Sequence, residues 1–384
     1  MTPASARTAA LAGTLLLAAA IGIGRFAYTP LLPPMRDALG WTVSQAGDVA
    51  SANFLGYMLG ALAAAGVAHR ADRRRWLVAA FIASAATTFA GTALELFHAW
   101  LMVRFLSGVA SAFCLVLGTA VVFEFITSRR APQWGALHFA GVGTGIVVSV
   151  IVIELARVAG ASMFAQWGAL GLASAALLAV AWVIVRRLPA PQLPAPRVAD
   201  APARVSAPLL RLIAAYGLFG FGYIITATFI VAIVRRLEHA AVFEPLTWIV
   251  VGLLAAPSVF VWQRVAQRLG IYATLRLAFV LEAAGVLLAG FGSGPSAVVL
   301  GGALLGGTFM GITALGLIAA RQGAGAHQDR VIGWMTASFG LGQLLGPAVA
   351  GRLAEMTNGF RWPSAFAAAL LVVGIALLRG LERR

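Results

Sequence analysis

Gly22-Ile23-Gly24-Arg25-Phe26-Ala27-Tyr28-Thr29-Pro30 opens a pattern that returns as Gly220-Phe221-Gly222-Tyr223, 198 residues later. Arg70, in the first strongly basic loop, is echoed by Arg268 at the same offset. Arg130-x-x-x-Trp134-x-x-x-x-Phe139 returns as Arg330-x-x-x-Trp334-x-x-x-x-Phe339, at an offset of 200. Three matches in chain order, drifting by two residues, indicate an internal duplication. The chain therefore reads as two copies of one unit, residues 1–200 and 201–384.

Composition says what kind of unit is duplicated. The chain is 61% hydrophobic and 11% charged, with a mean hydropathy of +0.91. A soluble domain is about 45–50% apolar and about 25% charged. Apolar stretches of about 20 residues, enough to cross a bilayer, recur throughout. They fall at 9–34, 43–67, 76–95, 99–126, 133–156, 163–185, 209–234, 242–262, 271–292, 297–319, 330–353 and 362–380. The sequence thus predicts an all-α membrane protein of twelve transmembrane helices, six in each copy. The segments lack the roughly ten-residue alternation of a membrane barrel.

The net charge of +15 suggests nucleic acid until its distribution is followed. All 28 basic residues are arginines. With both termini inside, the inner segments hold 20 of them. The outer loops and helix ends hold 6: Arg36, Arg157, Arg235, Arg236, Arg352 and Arg361. Arg25 and Arg104 lie within spans. This bias is the positive-inside signal of a multi-pass protein with cytoplasmic termini, here expected in a bacterial inner membrane. The basic loops then meet anionic headgroups, and no nucleic-acid partner is expected. The single cysteine, Cys114, lies in an apolar span, so no disulfide forms within one chain. The N-terminus imitates a signal peptide, with Arg7, an apolar run and Ala18-Ala19-Ala20. Because Gly22-Ile23-Gly24 matches the seventh span, the segment is expected to belong to the fold.

Residues 186–208 interrupt the apolar pattern with repeated prolines, which forbid helix and favour extended, solvated chain. The predicted organisation is an N-terminal six-helix bundle over 1–185, a cytoplasmic linker over 186–208 and a C-terminal bundle over 209–384. Duplicated helical halves of this kind build a midplane site that opens alternately to each side.

Further motifs accompany this organisation. Gly66-Val-Ala-His-Arg70-Ala-Asp72-Arg73-Arg74-Arg75 joins spans two and three. Arg104-Phe-Leu-Ser-Gly108 lies in span four, and Gly342-Gln343-Leu-Leu-Gly346-Pro347 in span eleven. With six plus six spans and a central inner loop, the chain resembles the major facilitator superfamily. The first motif is similar to that superfamily's Gly/Asp/Arg gating loop, although its Asp stands two residues late and its internal Gly is missing. The second resembles the Arg-x-x-x-Gly motif of span four. The third resembles a Gly-Pro motif usually described for span five. Gly22 through Pro33 and Tyr216 through Tyr223 look most like the YbfB/YjiJ-type bacterial transporters. The resemblance implies the major facilitator fold, two pseudo-symmetric six-helix bundles, and a monomeric secondary carrier.

Charges within spans mark candidate sites, because a charge in hydrocarbon costs at least about 2.5–3.5 kcal/mol. Arg25 is an anchor for an anionic substrate, since guanidinium grips carboxylate bidentately. Its other reading is an ion pair with Asp48. Arg104 contacts substrate or pairs with Glu95. Tyr28, Asn53, Tyr57, Tyr223, Thr226 and Gln343 are candidates to line a polar cavity, and core hydrogen bonding is their other reading. Glu282, near the middle of span nine, is a proton-coupling candidate because hydrocarbon favours a neutral carboxyl. Asp48 and His138 join it, imidazole being the side chain that titrates nearest physiological pH. Each of these also has a purely structural reading. Asp72, Arg73 and Glu124 are gating candidates at the inner end.

The glycines at 22, 24, 141, 143, 145, 220, 222, 340 and 342 admit close helix packing. Pro30, Pro33, Pro257 and Pro347 are candidate kinks. With no Lys there is no phosphate-binding loop of the Gly-Lys-Ser/Thr kind. No metal cluster or Gly-x-Ser-x-Gly elbow appears, so no cofactor, metal or enzymatic activity is expected. The expected function is secondary transport of a small organic solute, with an organic anion favoured and proton coupling. The alternative is an efflux antiporter for cationic or neutral compounds. A channel or membrane-embedded enzyme fits less well, because the polar groups form neither a pore stripe nor a cluster.

The topology is directly testable. A cysteine placed in the 186–208 linker of intact cells should resist an impermeant maleimide until the membrane is permeabilised. Labelling from the periplasmic side would reverse the assignment.

Overall fold

A computed structural model describes residues 5–68, 70, 72–189, 206–237, 240–324 and 327–381. The linker expected at 186–208 lies outside the described residues over 190–205. Twelve helical spans follow in chain order: α1 (Ala6–Leu39), α2 (Val43–Val67), α3 (Arg73–Phe89), α4 (Phe97–Ser128), α5 (Gly135–Val158), α6 (Met163–Val185), α7 (Ala207–Val234), α8 (Ala240–Leu269), α9 (Ile271–Phe291), α10 (Pro295–Gly323), α11 (Gln328–Met356) and α12 (Arg361–Leu378). Among the described residues there is no strand. Ten of these helices are long and apolar enough to cross a membrane. The other two are α3, with 17 residues headed by three arginines, and α11, which carries Arg330, Arg352 and Glu355.

α1 is not one continuous helix. Ala6–Leu17 is α-helical, Ala18–Ile23 widens into a π-helical turn, and Tyr28–Leu39 is α-helical again. The widening is visible in bonds that skip a residue: Gly24 N–H donates to Ala19 O at 2.8 Å and Phe26 N–H to Ile21 O at 3.1 Å. Sequence explains the break. Pro30 has no N–H, and its ring clashes with the carbonyl four residues back, at Phe26. Starting a fresh helix at Tyr28 puts Pro30 in the first turn, where no such bond is needed. The duplicate supplies the control. α7 carries the same glycine pair, but Thr228 stands 198 residues after Pro30, and α7 runs unbroken.

The chain divides into two compact units. One comprises Met1–Ala27 and Gly56–Ala201, the other Tyr28–Leu55 and Pro202–Arg384. The first boundary falls on the break in α1. The second falls at Gly56 in α2, where an added Cβ would lie 1.9 Å from the Phe105 carbonyl oxygen of α4. The outer arm of α1 and the first half of α2 therefore pack with the C-terminal helices.

Within the first unit, the inner arm of α1 packs against α4, α5 and α6, and α3 packs against α4 and α6. Gly22 and Gly145 meet backbone to backbone; a Cβ on Gly22 would lie 2.4 Å from the Gly145 Cα. Such contact replaces the hydrophobic drive that lipid does not supply between helices. Within the second unit, α8 packs on α10, α9 on α10 and α12, and α7 on α11 and α12.

Candidate functional site

The break in α1 places two backbone carbonyls where helix bonding has been rearranged, and α4 reaches across to them. Arg104 Nη1 donates to Gly24 O at 2.8 Å, and Arg104 Nη2 to Arg25 O at 3.0 Å. Ser107, one turn further along α4, donates to Gly24 O at 3.1 Å. Arg104 is 3% exposed. The expected Arg104–Glu95 pair is not the observed arrangement: Glu95 is exposed ahead of the α4 N-terminus. Arg104 lies seven residues inside α4, roughly 10 Å along its axis. Its guanidinium satisfies backbone carbonyls that hydrocarbon cannot.

Arg25, within the break itself, is also buried. Its guanidinium carbon lies 4.0 Å from the centre of the Tyr57 ring and 5.7 Å from that of Phe26. Asp48, its other expected partner, pairs instead with Arg352 of α11, at 2.8 Å. The reason is the break: beyond it, the segment carrying Asp48 packs in the second unit.

Arg25 and Tyr223 occupy equivalent positions in the two copies, 198 apart. Tyr223, on α7, is hydrogen-bonded through its hydroxyl to Gln343 Nε2 of α11, and both are buried. Its ring lies near-parallel to Phe309 at 5.7 Å and to Phe339 at 5.8 Å, and stacks on Phe219 at 4.9 Å. Thr226, one turn along α7, is buried, and its hydroxyl has no hydrogen-bond partner among the described residues. Asn53 is fully buried in the α2 arm. Tyr28 donates to Ala46 O at 2.8 Å, joining the α1 and α2 arms.

The arms are fastened to the C-terminal helices at one end of the second unit. Thr29 donates to Ala227 O at 2.7 Å in the buried interior. These positions are themselves 198 apart, so the contact joins equivalent points of the duplicate. Towards the helix ends, Ser44 donates to Glu355 through both its N–H and its hydroxyl, and Arg235 pairs with Asp37 at 3.2 Å and Glu244 at 3.4 Å. A cavity of about 300 Å³ lies among them, lined by Arg36, Asp37, Arg235 and Glu355.

The gating candidates all find partners within the first unit. Arg73 pairs with Glu124 and donates to Ala68 O at 3.1 Å. Asp72 lies 3.6 Å from Arg70 and accepts from Trp76 Nε1 at 3.3 Å. Arg74 donates to the carbonyls of Leu188 and Pro189, at 2.7 and 2.6 Å, holding the start of the linker against α3.

The two remaining proton-coupling candidates are fully buried. Glu282 of α9 accepts from Thr308 of α10, and its Oε1 has no hydrogen-bond partner among the described residues. His138 Nε2 lies 2.9 Å from Thr119 Oγ1, and its ring covers Gly13, flanked by Phe123 and Phe139. Sequence reasoning missed Ser107, Thr308 and Arg352, because each acts through a partner distant in the chain. The aromatic faces around Tyr223 read as ordinary apolar helix.

A twelve-helix membrane protein with a duplicated half and buried charge at a helix break is built as a transporter. Residues 17–379 match the family described as "Uncharacterised MFS-type transporter YbfB", and the chain belongs to that family of the major facilitator superfamily. Among solved structures, it is similar to the nucleoside transporter NupG, at 15% identity and a TM-score of 0.69, with 99% of each chain covered. It is also similar to a bacterial homologue of the human lysosomal transporter Spinster in an inward-facing, unoccupied conformation, at 15% identity and a TM-score of 0.65, covering 100% of this chain and 98% of that one. No curated protein matches the chain in sequence. The protein is a multi-pass membrane transporter rather than an enzyme, and its fold is the major facilitator fold.

Arg104→Met should orphan carbonyls at the break. An unsatisfied buried acceptor costs about 1–3 kcal/mol, so unfolding stability should fall by about 2–4 kcal/mol, with Ser107 retaining part of the interaction. Arg104→Lys should recover some of the loss, because one ammonium replaces a two-pronged donor. Thermal unfolding of the purified variants measures this. An unchanged midpoint in Arg104→Met contradicts the assignment.

Proposed function

We propose that the chain is a secondary active carrier for a small organic solute, with organic anions favoured. It is coupled to protons and works by alternating access as a monomer in a bacterial inner membrane. The observation that carries this reading is Arg25, a buried arginine laid on an aromatic face at the point where α1 breaks. A guanidinium stacked on a ring can still receive a carboxylate at its edge in two-pronged fashion. Within the first unit, Tyr57 supplies the ring beside Arg25. Tyr223, Thr226, Gln343 and Asn53 are the polar candidates of the second unit.

Transport then divides between the two ends. The arm formed by Tyr28–Leu55 is the outer gate, held by Asp48–Arg352 and by Ser44 on Glu355. Asp72, Arg73 and Glu124 form the inner gate, where Arg74 ties the linker to α3. Glu282 is the proton carrier: it is fully buried, and Thr308 donates to its Oε2, which leaves Oε1 to hold the proton.

A second reading, efflux of cationic or neutral compounds, draws on the aromatic faces around Tyr223, because ring faces attract cations.

Purified protein screened by thermal shift against amino acids, organic acids and cationic drugs separates the two, since a ligand stabilises the state it binds. Organic acids should raise the midpoint of the wild type and not of Arg25→Ala, with the apo midpoint little changed. In proteoliposomes, Glu282→Gln should keep solute binding but lose acceleration by a proton gradient. Undiminished anion affinity in folded Arg25→Ala sinks the substrate assignment; gradient-driven transport by Glu282→Gln sinks the coupling assignment.

A further inference from the structure

At the end of the second unit away from the C-terminus, a cavity of about 500 Å³ opens beside the turn from α11 to α12 and adjoins the smaller cavity, sharing Arg236, Asn358 and Phe360 with it. Its floor is apolar, formed by Ile233, Ala289 and Val298. Its rim is cationic. Arg236, just past α7, and Arg361, the first residue of α12, both line it, and both are exposed. No Asp or Glu lines it among the described residues. The smaller cavity beside it, which Arg236 also lines, holds Asp37 and Glu355, whereas Arg361 faces the larger one alone.

Arg236 is placed rather than merely nearby. Arg236 lies against the turn backbone: a Cβ on Gly359 would be 3.6 Å from its Nη1. Its guanidinium carbon is 5.9 Å from the centre of the Phe360 ring. Asn358 Oδ1 accepts from Arg236 Nη2 at 3.5 Å. The α12 N-terminus opens onto the same cavity, and Phe360 at its cap supplies no side-chain hydrogen bond to the first turn. The helix dipole there adds positive potential to that of the two arginines.

The lipid side identifies the source of the anion. Trp362, also lining the cavity, is 63% exposed, and Phe366, one turn on, is 43% exposed. On a membrane helix these residues form a stripe facing lipid, with Trp at its end, where indole settles among headgroups. The cavity therefore combines three features: an apolar floor, a pair of guanidinium groups suited to phosphate oxygens, and an opening beside acyl chains.

We propose that this cavity is a binding site for the phosphodiester headgroup of an anionic phospholipid. Arg236 and Arg361 contact the phosphate, and Trp362 packs beside the glycerol and the upper acyl chain.

Native mass spectrometry of the purified full-length chain, offered phosphatidylglycerol or phosphatidylcholine, tests the assignment. The wild type should retain phosphatidylglycerol preferentially. Arg236→Gln/Arg361→Gln should retain at least tenfold less, and Arg236→Lys/Arg361→Lys should recover part of that retention, because the charge returns without the fork geometry. If the double Gln variant does not fold, Arg361→Gln alone carries the test, with a smaller loss of retention in the same direction expected. Inorganic phosphate and glycerol 3-phosphate should not displace the lipid. Equal retention of both lipids, or undiminished phosphatidylglycerol on the Gln variant, overturns the site. Displacement by the soluble phosphates overturns the lipid as its occupant.

Discussion

Backbone carbonyls that leave regular helix bonding inside a bilayer need a donor, and at Gly24 and Arg25 that donor is Arg104, assisted by Ser107. The rest of the architecture follows from this constraint. Pro30 forces the break, the π-helical turn spreads it over several residues, and α4 supplies the compensating charge. With its carbonyls satisfied, α1 can end one arm in the first unit and begin another in the second. Without that compensation, a break at this depth would expose unpaired polar groups to hydrocarbon. Arg25 stands at this point because the break has already made room for a polar group.

Most of the fold was legible in the sequence because it depends on repetition and span length. Each helix overlaps its apolar stretch; α3 ends at Phe89, short of the expected 95, and the helices of α1 and α8 run several residues past the apolar limits, into polar ends that hydropathy alone does not mark as helical. The duplication read from Gly22-x-Gly24, Arg70 and Arg130 also accounts for the contrast between broken α1 and straight α7. The local site was less legible. Arg25 and Arg104 stand out because charge is rare in spans, yet neither Asp48, at similar depth on the next span, nor Glu95, across a short turn, is the observed partner. Depth ignores where a broken helix goes afterwards: Asp48 travels with the outer arm to Arg352, and Glu95 remains in the turn before α4. The Arg73–Glu124 pair was within reach of sequence because the basic loop and the inner end of α4 must lie on the same face.

The outer arm has two kinds of attachment, and their physical chemistry differs. Thr29 to Ala227 is a buried hydrogen bond between equivalent positions of the duplicate. Asp48–Arg352 and Arg235–Asp37 are partly exposed ion pairs, of a type that contributes about 0–1 kcal/mol. Weak, solvent-facing pairs suit the gate proposed above, whereas a deeply buried pair would be costly to separate. Close glycine packing, such as Gly22 on Gly145, holds the first unit together independently of these pairs.

Movement of that arm is the central claim of this account. Spin labels at Ala38 on the α1 arm and Met356 at the end of α11, with distances measured by double electron–electron resonance in lipid nanodiscs, test it directly. Two distance populations are expected, and removing the Arg352 guanidinium should enrich the longer one. A single short distance that the Arg352 substitution leaves unchanged would show the arm to be a fixed part of the second unit and would contradict the account.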